Sequence, residues 1–363
     1  MLECGKRLMK HIGVLTVINC DNNGTDIQAY AMQKLFERLD PNVELIDYRA
    51  IRWEKQVSGR LLSLTVLIKQ PIRSFMHRAH HSFRQNNWRV SSIQYTVESL
   101  NDLPYDKVVV GSDQIWNLDI TEGDKGFFLP DERVAYKKYS YAVSLGKKDI
   151  TDWEQKYGIS GFLRAFLGIS VREKSGVEAL GKIGIEARQD LDPVLMVGKD
   201  CWEQMAVSQE LDRYILVYLA QANSEALEYA VRLAQEQQCK VIWITDSIKK
   251  HKNIICKRFV GVEQWIGYIK NAQMVITNSY HGLAMSIALN TCVCVMGLRD
   301  KPQSSARMLD LLDILDMPFA IWRSDKQFAD YLADWNAVNT RLSALRDKSM
   351  KYIQGVIGND GED

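Results

Sequence analysis

The sequence contains no apolar run long enough to cross a membrane. Its longest candidate, Leu61 to Ile68, is interrupted by Ser63 and Thr65, whereas a transmembrane helix needs about 20 apolar residues. The apolar run at 12–18 is too short and too rich in β-branched residues for a signal peptide. We therefore expect a cytoplasmic protein.

Cysteine is scarce and scattered. There are 7 cysteines, an odd number, and the only close pair is Cys292 and Cys294. Alternation on a strand would place both side chains on one face, but no neighbouring residues supply two further metal ligands. The pattern favours two buried thiols over a metal centre, and it is typical of a chain from a reducing compartment. We predict no metal site.

An excess of charge of either sign is also missing. Lys and Arg number 46 and Asp and Glu number 45, which gives a net charge of +1. No overall field attracts nucleic acid, so we predict no nucleic-acid partner, and any charged ligand must bind a local patch. The chain has 363 residues, of which 46% are hydrophobic. This length and composition predict two globular domains.

Short apolar runs alternate with amphipathic helices along the chain, which predicts parallel sheets covered by helices on both faces. Strands are predicted at 12–18, 43–46, 107–110, 139–143, 169–171, 214–219, 240–244, 254–259, 274–276 and 292–296. Helices are predicted at 25–39, 224–237, 262–272, 282–289 and 304–315. The break at Asp192-Pro193 suggests an N-terminal Rossmann-like domain at 1–190 and a second one at 191–325, with a helix and frayed tail at 326–363. The predicted fold class is α/β, with two doubly wound domains facing a cleft.

A basic segment does not fit this alternation. From 49 to 89 the chain carries nine Lys or Arg residues and a single acid, Glu54. Its apolar residues predict one or two helices inserted into the first domain at about 50–100. One interpretation is a surface insertion with a solvated basic face. The other is an amphipathic surface in peripheral contact with anionic lipid or an anionic glycan.

Two loops of the first domain follow predicted strands, where ligands bind in doubly wound sheets. The loop 19–24 ends in Gly24 before a helix, and it is either a binding loop or a plain turn, since it lacks the dinucleotide glycine pattern. In the loop 111–117, Trp116 could stack on a sugar ring while neighbouring polar side chains bind hydroxyls. Alternatively, this loop is a capped turn with Trp116 in the core.

Two further turns carry ionisable side chains. Arg172 follows the strand at 169–171, where a planar guanidinium suits a carboxylate or phosphate, although a structural ion pair with Glu173 or a neighbouring acid would explain it equally. The turn 277–282 contains His281, which is placed for acid–base chemistry. Ser279 suggests a hydrolase only weakly, because the nucleophile elbow is missing.

These motifs, in this order, resemble the polysaccharide pyruvyl transferase family. The matching segments are Asn23-Gly24 with Gln28-Ala29-Tyr30-Ala31 and Gln33, then 110–117, 170–175, 191–195 and 276–282. The resemblance covers about residues 12 to 315 and implies a GT-B-like fold. Characterised members transfer the pyruvyl group of phosphoenolpyruvate onto two hydroxyls of a sugar, which forms a ketal and releases phosphate. The resemblance implies a small-molecule donor, a glycan acceptor of a surface polysaccharide or lipid-linked glycan, and no cofactor.

The resemblance also implies roles for individual residues. His281 would be catalytic, and the donor would contact Arg172, Asn278, Ser279 and Arg307. The acceptor would contact residues from two loops of the first domain, namely Asn23, Gly24, Gln28, Ser112, Asp113, Gln114, Trp116 and Asn117.

The sequence departs from the family at one position. Well-studied members carry an arginine two residues before the histidine, where this chain has Ser279. One cation of the donor site is therefore missing or comes from elsewhere, with Arg299, Lys301 and Arg307 as candidates. Two alternatives remain open: a GT-B glycosyltransferase that uses a nucleotide-sugar, and a non-catalytic glycan-binding homologue.

Overall fold

The computed structural model of this chain describes residues 12–50, 77–208, 212–247, 251–298 and 302–358, except for the side chains of 302–304. The strands are β1 (Ile12–Leu15), β2 (Glu44–Tyr48), β3 (Val90–Tyr95), β4 (Lys107–Val110), β5 (Lys137–Ser140), β6 (Phe166–Gly168), β7 (Ser170–Val171), β8 (Arg188–Gln189), β9 (Tyr214–Tyr218), β10 (Lys240–Ile244), β11 (Ile255–Lys257), β12 (Met274–Thr277) and β13 (Val293–Val295).

The helices are α1 (Asn23–Phe36), α2 (77–87), α3 (Thr151–Tyr157), α4 (Ile159–Leu163), α5 (Lys174–Lys182), α6 (Pro193–Val197), α7 (Lys199–Met205), α8 (Ser224–Glu236), α9 (Val262–Asn271), α10 (Tyr280–Ala288), α11 (Pro302–Ile314) and α12 (Trp335–Tyr352). In the described residues, none of these helices is long and apolar enough to span a membrane.

Two parallel sheets form the two halves of the molecule. Within the described residues, the N-terminal sheet has the order β3-β2-β1-β4-β5-β6 and the C-terminal sheet the order β11-β10-β9-β12-β13, while β7 and β8 form a separate pair. The central strands β1, β4 and β12 are buried at every residue, as expected for strands that helices cover on both faces. These sheets confirm the predicted α/β architecture.

The strand order places ligand-binding loops at one edge of each sheet. The order in which successive strands are added to the sheet reverses between β1 and β4 in the first sheet and between β9 and β12 in the second. Ligands of doubly wound sheets bind outside the carboxyl ends of the strands at these switch points. The loops 16–22 and 111–117 and the turn 277–282 therefore all lie at switch points.

Helices from both halves pack together beneath these loops. Helix α6 contacts both α1 and α10, and α1 also contacts α9. One apolar core accordingly contains Ile27 of α1, Leu195 of α6 and Leu283 of α10. After α12 the chain returns to the first sheet, where the Lys107 ammonium donates to the carbonyl oxygen of Ile357 at 2.8 Å.

The predicted insertion is described only in part, because residues 51–76 of the basic segment lie outside the described residues. Its described helix, α2, is tied to the start of α1. His80 and Arg84 both contact the fully buried carboxylate of Asp26, at 2.6 and 2.9 Å. The Arg84 guanidinium also donates to the carbonyl oxygen of Cys20 at 2.7 Å. Helix α2 thus braces the loop between β1 and α1.

Candidate active site

The first turns of α1 and α10 meet where the two halves of the protein face each other. The Asn22 side chain caps α1 by accepting from the amides of Gly24 and Thr25 at 2.8 and 3.2 Å. The first turn of α1 lies against His281, and a Cβ atom added at Gly24 would come within 2.5 Å of the Nδ1 atom of its ring. Only glycine lets the backbone approach the imidazole this closely. The loop 19–24 is thus part of the site that contains His281.

Arg172 lies beside the histidine, held by partners on several elements. Its side chain is 2% exposed, and Nη1 donates to the Asp192 carboxylate at 2.7 Å. The guanidinium lies 4.0 Å from the centre of the Tyr280 ring. Carboxylate oxygens of Asp113 and Glu173 lie 3.9 Å from its other nitrogens, beyond hydrogen-bond distance. The sequence had left an ion pair or a ligand contact open for this arginine, and the structure shows the ion pair while leaving nitrogen donors unused.

Arg307 of α11 approaches the same tyrosine ring. Its guanidinium lies 5.4 Å from the centre of the Tyr280 ring. With its amide oxygen turned toward the guanidinium, Gln114 accepts from both terminal nitrogens of Arg307 at 3.2 Å. Among the described residues, the Nε and Nη2 atoms of Arg172 and the Nε atom of Arg307 have no hydrogen-bond partner. A buried cation from the first half and a half-buried one from the second therefore present unused donors beside one ring.

The charges of this cluster shift the pKa values of its members. Burial lowers the pKa of Arg307, and the neighbouring charge of Arg172 lowers it further. Burial raises the pKa of Asp113, but the positive charges of His281, when its ring is protonated, and of Arg172 outweigh it and hold that pKa below its usual value. Asp113 is therefore ionised at neutral pH. Such opposed shifts within one cleft are typical of functional sites.

His281 is the titratable group at the centre of the cluster. Burial lowers its pKa, as do Arg172 and Arg307, while the carboxylates of Asp113 and Asp192 raise it. The resulting pKa lies below that of a free imidazole. Its ring meets the Tyr280 ring edge to face at 5.5 Å. In the described part of the chain its buried Nε2 atom has no hydrogen-bond partner. A neutral imidazole with an unused nitrogen can accept a proton and return it.

The predicted donor residues Asn278 and Ser279 shape the turn that carries the histidine. The Asn278 side-chain oxygen accepts from the amides of Ala220 and Gln221 at 2.8 and 3.4 Å, which joins the loops after β9 and β12. Ser279 is the N-cap of α10, and its hydroxyl accepts from the amide of Gly282 at 3.4 Å. Arg299 and Lys301, two candidates for the missing cation, lie outside the described residues.

The prediction that Trp116 stacks on a sugar is wrong. Its side chain is 0% exposed, and its indole nitrogen donates to the carbonyl oxygen of Phe127 at 2.8 Å. The indole also stacks on Phe128 with ring centres 5.4 Å apart. The alternative, in which this tryptophan belongs to the core, is correct, because the loop turns its large apolar side chain under the sheet rather than toward the cleft.

The remaining predicted acceptor residues divide into two groups. Gln28, Ser112 and Asn117 are buried and bond within the first half of the chain: Gln28 to Thr16, Ser112 to the carbonyl of Ala142, and Asn117 to the amides of Asp119 and Ile120. They fix the loops around the site. Gly24, Asp113 and Gln114 lie beside His281 or the two arginines. Asn23 precedes Gly24, and its amide nitrogen donates to the carbonyl oxygen of Val260 at 3.5 Å.

Three residues of the cluster were not predicted as site residues. Asp192 holds Arg172 and caps α6 through the amide of Val194, at 2.9 Å. Glu173 accepts from the Ser144 hydroxyl and fixes the loop after β5. The Tyr280 ring lies next to the guanidiniums of both Arg172 and Arg307. Each of these three residues lies within a segment that resembles the family. Glu173 and Tyr280 are next to predicted site residues, and Asp192 precedes a proline. This position in the sequence was the feature from which they could have been predicted.

Metal ligation finds no support in the described residues, which contain no group of three or more His, Cys, Asp or Glu side chains placed to hold an ion. Cys292 and Cys294 are buried, and burial raises the pKa of each thiol to about 12. Both thiols are therefore protonated at neutral pH, as expected of buried and inert cysteines.

Comparison with known proteins supports both the fold and the family. The chain is similar to a UDP-N-acetylglucosamine 2-epimerase with 11% identity and a TM-score of 0.53, covering 98% of each chain. It is also similar to S. aureus MnaA in complex with UDP, with 10% identity, a TM-score of 0.51 and coverage of 96% of this chain and 97% of that one. The UDP-GlcNAc 2-epimerase from Methanocaldococcus jannaschii has 13% identity, a TM-score of 0.50 and 93% coverage of each chain. These likenesses show a GT-B-type fold.

No curated protein matches this chain in sequence. The sequence model of the polysaccharide pyruvyl transferase family, however, matches residues 22–300. This segment contains the histidine turn 277–282, Arg172 and the loop 111–117. The chain therefore belongs to the polysaccharide pyruvyl transferase family and is an enzyme of that kind.

Proposed function

We propose that this enzyme transfers the pyruvyl group of phosphoenolpyruvate onto two hydroxyls of a sugar in a surface polysaccharide or lipid-linked glycan. The products are a cyclic ketal and phosphate, and the reaction uses no cofactor. One observation carries the proposal: Arg172 and Arg307, from different halves of the protein, lie on the Tyr280 ring beside His281 with unused nitrogen donors.

The donor has two anionic groups, a carboxylate and a phosphate, which suits two guanidiniums. The Nη1 atom of Arg172 is held by Asp192, which leaves the Nε and Nη2 atoms for a bidentate contact with a planar carboxylate. In this arrangement Arg307 replaces the cation that other members carry at the position of Ser279. Because the arginines are held before the donor arrives, little side-chain entropy is lost on binding.

Charge balance couples donor binding to His281. Three carboxylates, Asp113, Glu173 and Asp192, already offset the two guanidiniums. A bound anion adds negative charge next to the imidazole, which favours its protonated form. The donor therefore brings His281 into the state from which it can give a proton.

The proposed reaction proceeds through a cationic carbon. His281 protonates the methylene carbon of the donor, and the adjacent carbon becomes electrophilic. Oxygen atoms of two sugar hydroxyls bond to that carbon in turn, and its bond to the phosphate oxygen breaks. Two hydroxyl protons are released, of which one restores His281 and the other leaves with phosphate. A neutral imidazole in the free enzyme can complete this cycle.

Binding measurements test the donor. Isothermal titration calorimetry of the wild-type protein should detect phosphoenolpyruvate and not UDP- or GDP-sugars. Arg172→Lys, which keeps the charge but loses the bidentate geometry, and Arg307→Ala should each weaken binding by about 1.5–3 kcal/mol. The control Arg133→Ala removes an arginine whose side chain is 90% exposed and should change nothing.

The competing functions give different results in the same titrations. Binding of a nucleotide-sugar without binding of phosphoenolpyruvate would identify a glycosyltransferase. Binding of a glycan alone, with neither donor, would identify a non-catalytic homologue.

A further inference from the structure

Asp113 differs from the other carboxylates that surround Arg172. In the described residues the Glu173 and Asp192 side chains are 1% and 0% exposed, whereas that of Asp113 is 20% exposed. Glu173 and Asp192 each accept at least two hydrogen bonds from hydroxyl, amide or guanidinium groups, whereas in the described residues Asp113 accepts one, from an amide. Asp113 is therefore the carboxylate of this group that a ligand in the cleft can reach.

The backbone holds Asp113 at the switch point of the first sheet. It follows β4, next to β1, and its carbonyl oxygen accepts from the amide of Ser144 at 2.9 Å. Its φ of 73° is a left-handed conformation that aspartate tolerates better than most residues. One carboxylate oxygen accepts from the amide of Gln114 at 2.8 Å. These bonds and this backbone conformation hold the Asp113 carboxylate in one position.

Charged and titratable groups face Asp113 from four elements. They are Cys20 in the loop after β1, Arg172 after β7, His281 in α10 and Arg307 in α11. The carboxylate thus lies between the loop expected to meet the acceptor and the two arginines expected to hold the donor. A sugar hydroxyl bound between that loop and the arginines would lie close to it.

We propose that Asp113 is the general base that takes the proton from the attacking acceptor hydroxyl. The proposal rests on the proposed function. As the hydroxyl oxygen bonds to the cationic carbon, its O–H bond breaks and the proton moves to the Asp113 carboxylate, which then passes it to the departing phosphate. The proton of the second hydroxyl returns to His281, which has protonated the methylene carbon, so the base for the first attack and the acid are different residues and the protons balance.

The ionised state of Asp113 suits this role. Its lowered pKa makes it a weak base, but a hydroxyl that attacks a cationic carbon becomes strongly acidic as the bond forms. Inverting glycosidases activate water with a carboxylate in the same electronic situation. The carboxylate also stabilises the cationic centre before the hydroxyl arrives.

Two variants separate a base from a positioning residue. Asp113→Asn keeps the shape and the oxygen that accepts from Gln114. Asp113→Gly keeps the backbone, since glycine adopts a φ of 73° readily, and it leaves room for formate as an external base. Asp325→Asn, at a carboxylate that is 66% exposed, is the control. Phosphoenolpyruvate affinity is measured by calorimetry, and turnover is measured as phosphate release with the best acceptor from a panel of 4-nitrophenyl hexosides.

If Asp113 is the base, Asp113→Asn lowers kcat by about 100-fold or more, while its Kd for phosphoenolpyruvate stays within about threefold. Formate then raises the turnover of Asp113→Gly by at least about tenfold over its value without formate. Retention of kcat within about fivefold in Asp113→Asn would overturn the inference and leave the proposed function standing. Equal losses of donor affinity and turnover, without formate rescue, would make Asp113 a positioning residue for Arg172. A wild-type protein that does not bind phosphoenolpyruvate would refute the proposed function itself.

Discussion

Gly24 of the first half lies directly against the imidazole of His281 in the second half, so close that a methyl group at residue 24 would come within 2.5 Å of Nδ1. This contact fixes the distance between the loop after β1 and the histidine. It also explains why the second residue of α1 is a glycine, since any side chain would push the two halves apart or displace the ring.

Gly24→Ala should therefore reduce turnover sharply. We expect a loss of about 100-fold in kcat, because a displacement of about 1 Å at a reacting group can cost that much. Phosphoenolpyruvate-dependent phosphate release measures the effect. The matched control is Gly181→Ala near the end of α5, where an added Cβ meets nothing within 4 Å and should stabilise the protein slightly. Unchanged turnover in Gly24→Ala would show that the imidazole tolerates displacement.

The pKa of His281 should rise when the donor binds. In the free protein burial, together with Arg172 and Arg307, holds the pKa of His281 below that of a free imidazole, so the neutral ring is favoured at pH 7. A bound anion between the arginines offsets their charge and raises the pKa. Titration of the ring nitrogens by NMR, with and without phosphoenolpyruvate, measures the change. A pKa that is the same in both titrations would contradict the proposed coupling.

Asp192→Asn should destabilise the protein. The variant can still cap α6 through its side-chain oxygen, but it leaves the buried Arg172 without its closest counter-charge. We expect the free energy of unfolding in urea to fall by about 3–5 kcal/mol. Asp325→Asn, which breaks the exposed pair with Arg323, should leave the free energy of unfolding almost unchanged, because solvent screens that pair. Similar losses in the two variants would mean that Asp192 is not needed to hold the guanidinium.

Ser279 should contribute to stability through its cap. Ser279→Ala removes the hydroxyl that accepts from the Gly282 amide, and the expected cost is about 1 kcal/mol in the free energy of unfolding. Ser279→Asn keeps a good capping side chain and should restore most of that loss. If Ser279→Ala instead weakens phosphoenolpyruvate binding by more than about tenfold at unchanged stability, the hydroxyl contacts the donor.

The alternation of apolar runs and amphipathic helices determined the fold class and most of its elements. The sequence places β4 and β10 with the bounds that the structure has, and α8 and α9 within one residue, because buried parallel strands and one-sided helices leave clear patterns. The strands β3 and β6 escaped prediction. Their exposed residues, among them Ile93 and Leu167, mask the signal that buried strands carry.

For the site, the sequence singled out the loops and the residues Arg172 and His281, since short motifs after strands predict where ligands bind. Only the tertiary structure decided which side chains meet. In the folded protein Trp116 is in the core and Asp192 forms an ion pair with Arg172. Arg307, which lies 27 residues after Tyr280 in the chain, approaches the Tyr280 ring. A motif records residue types at one place in the chain, whereas the contact between Gly24 and His281 and the approach of the two arginines to one ring depend on how the two sheets pack against each other.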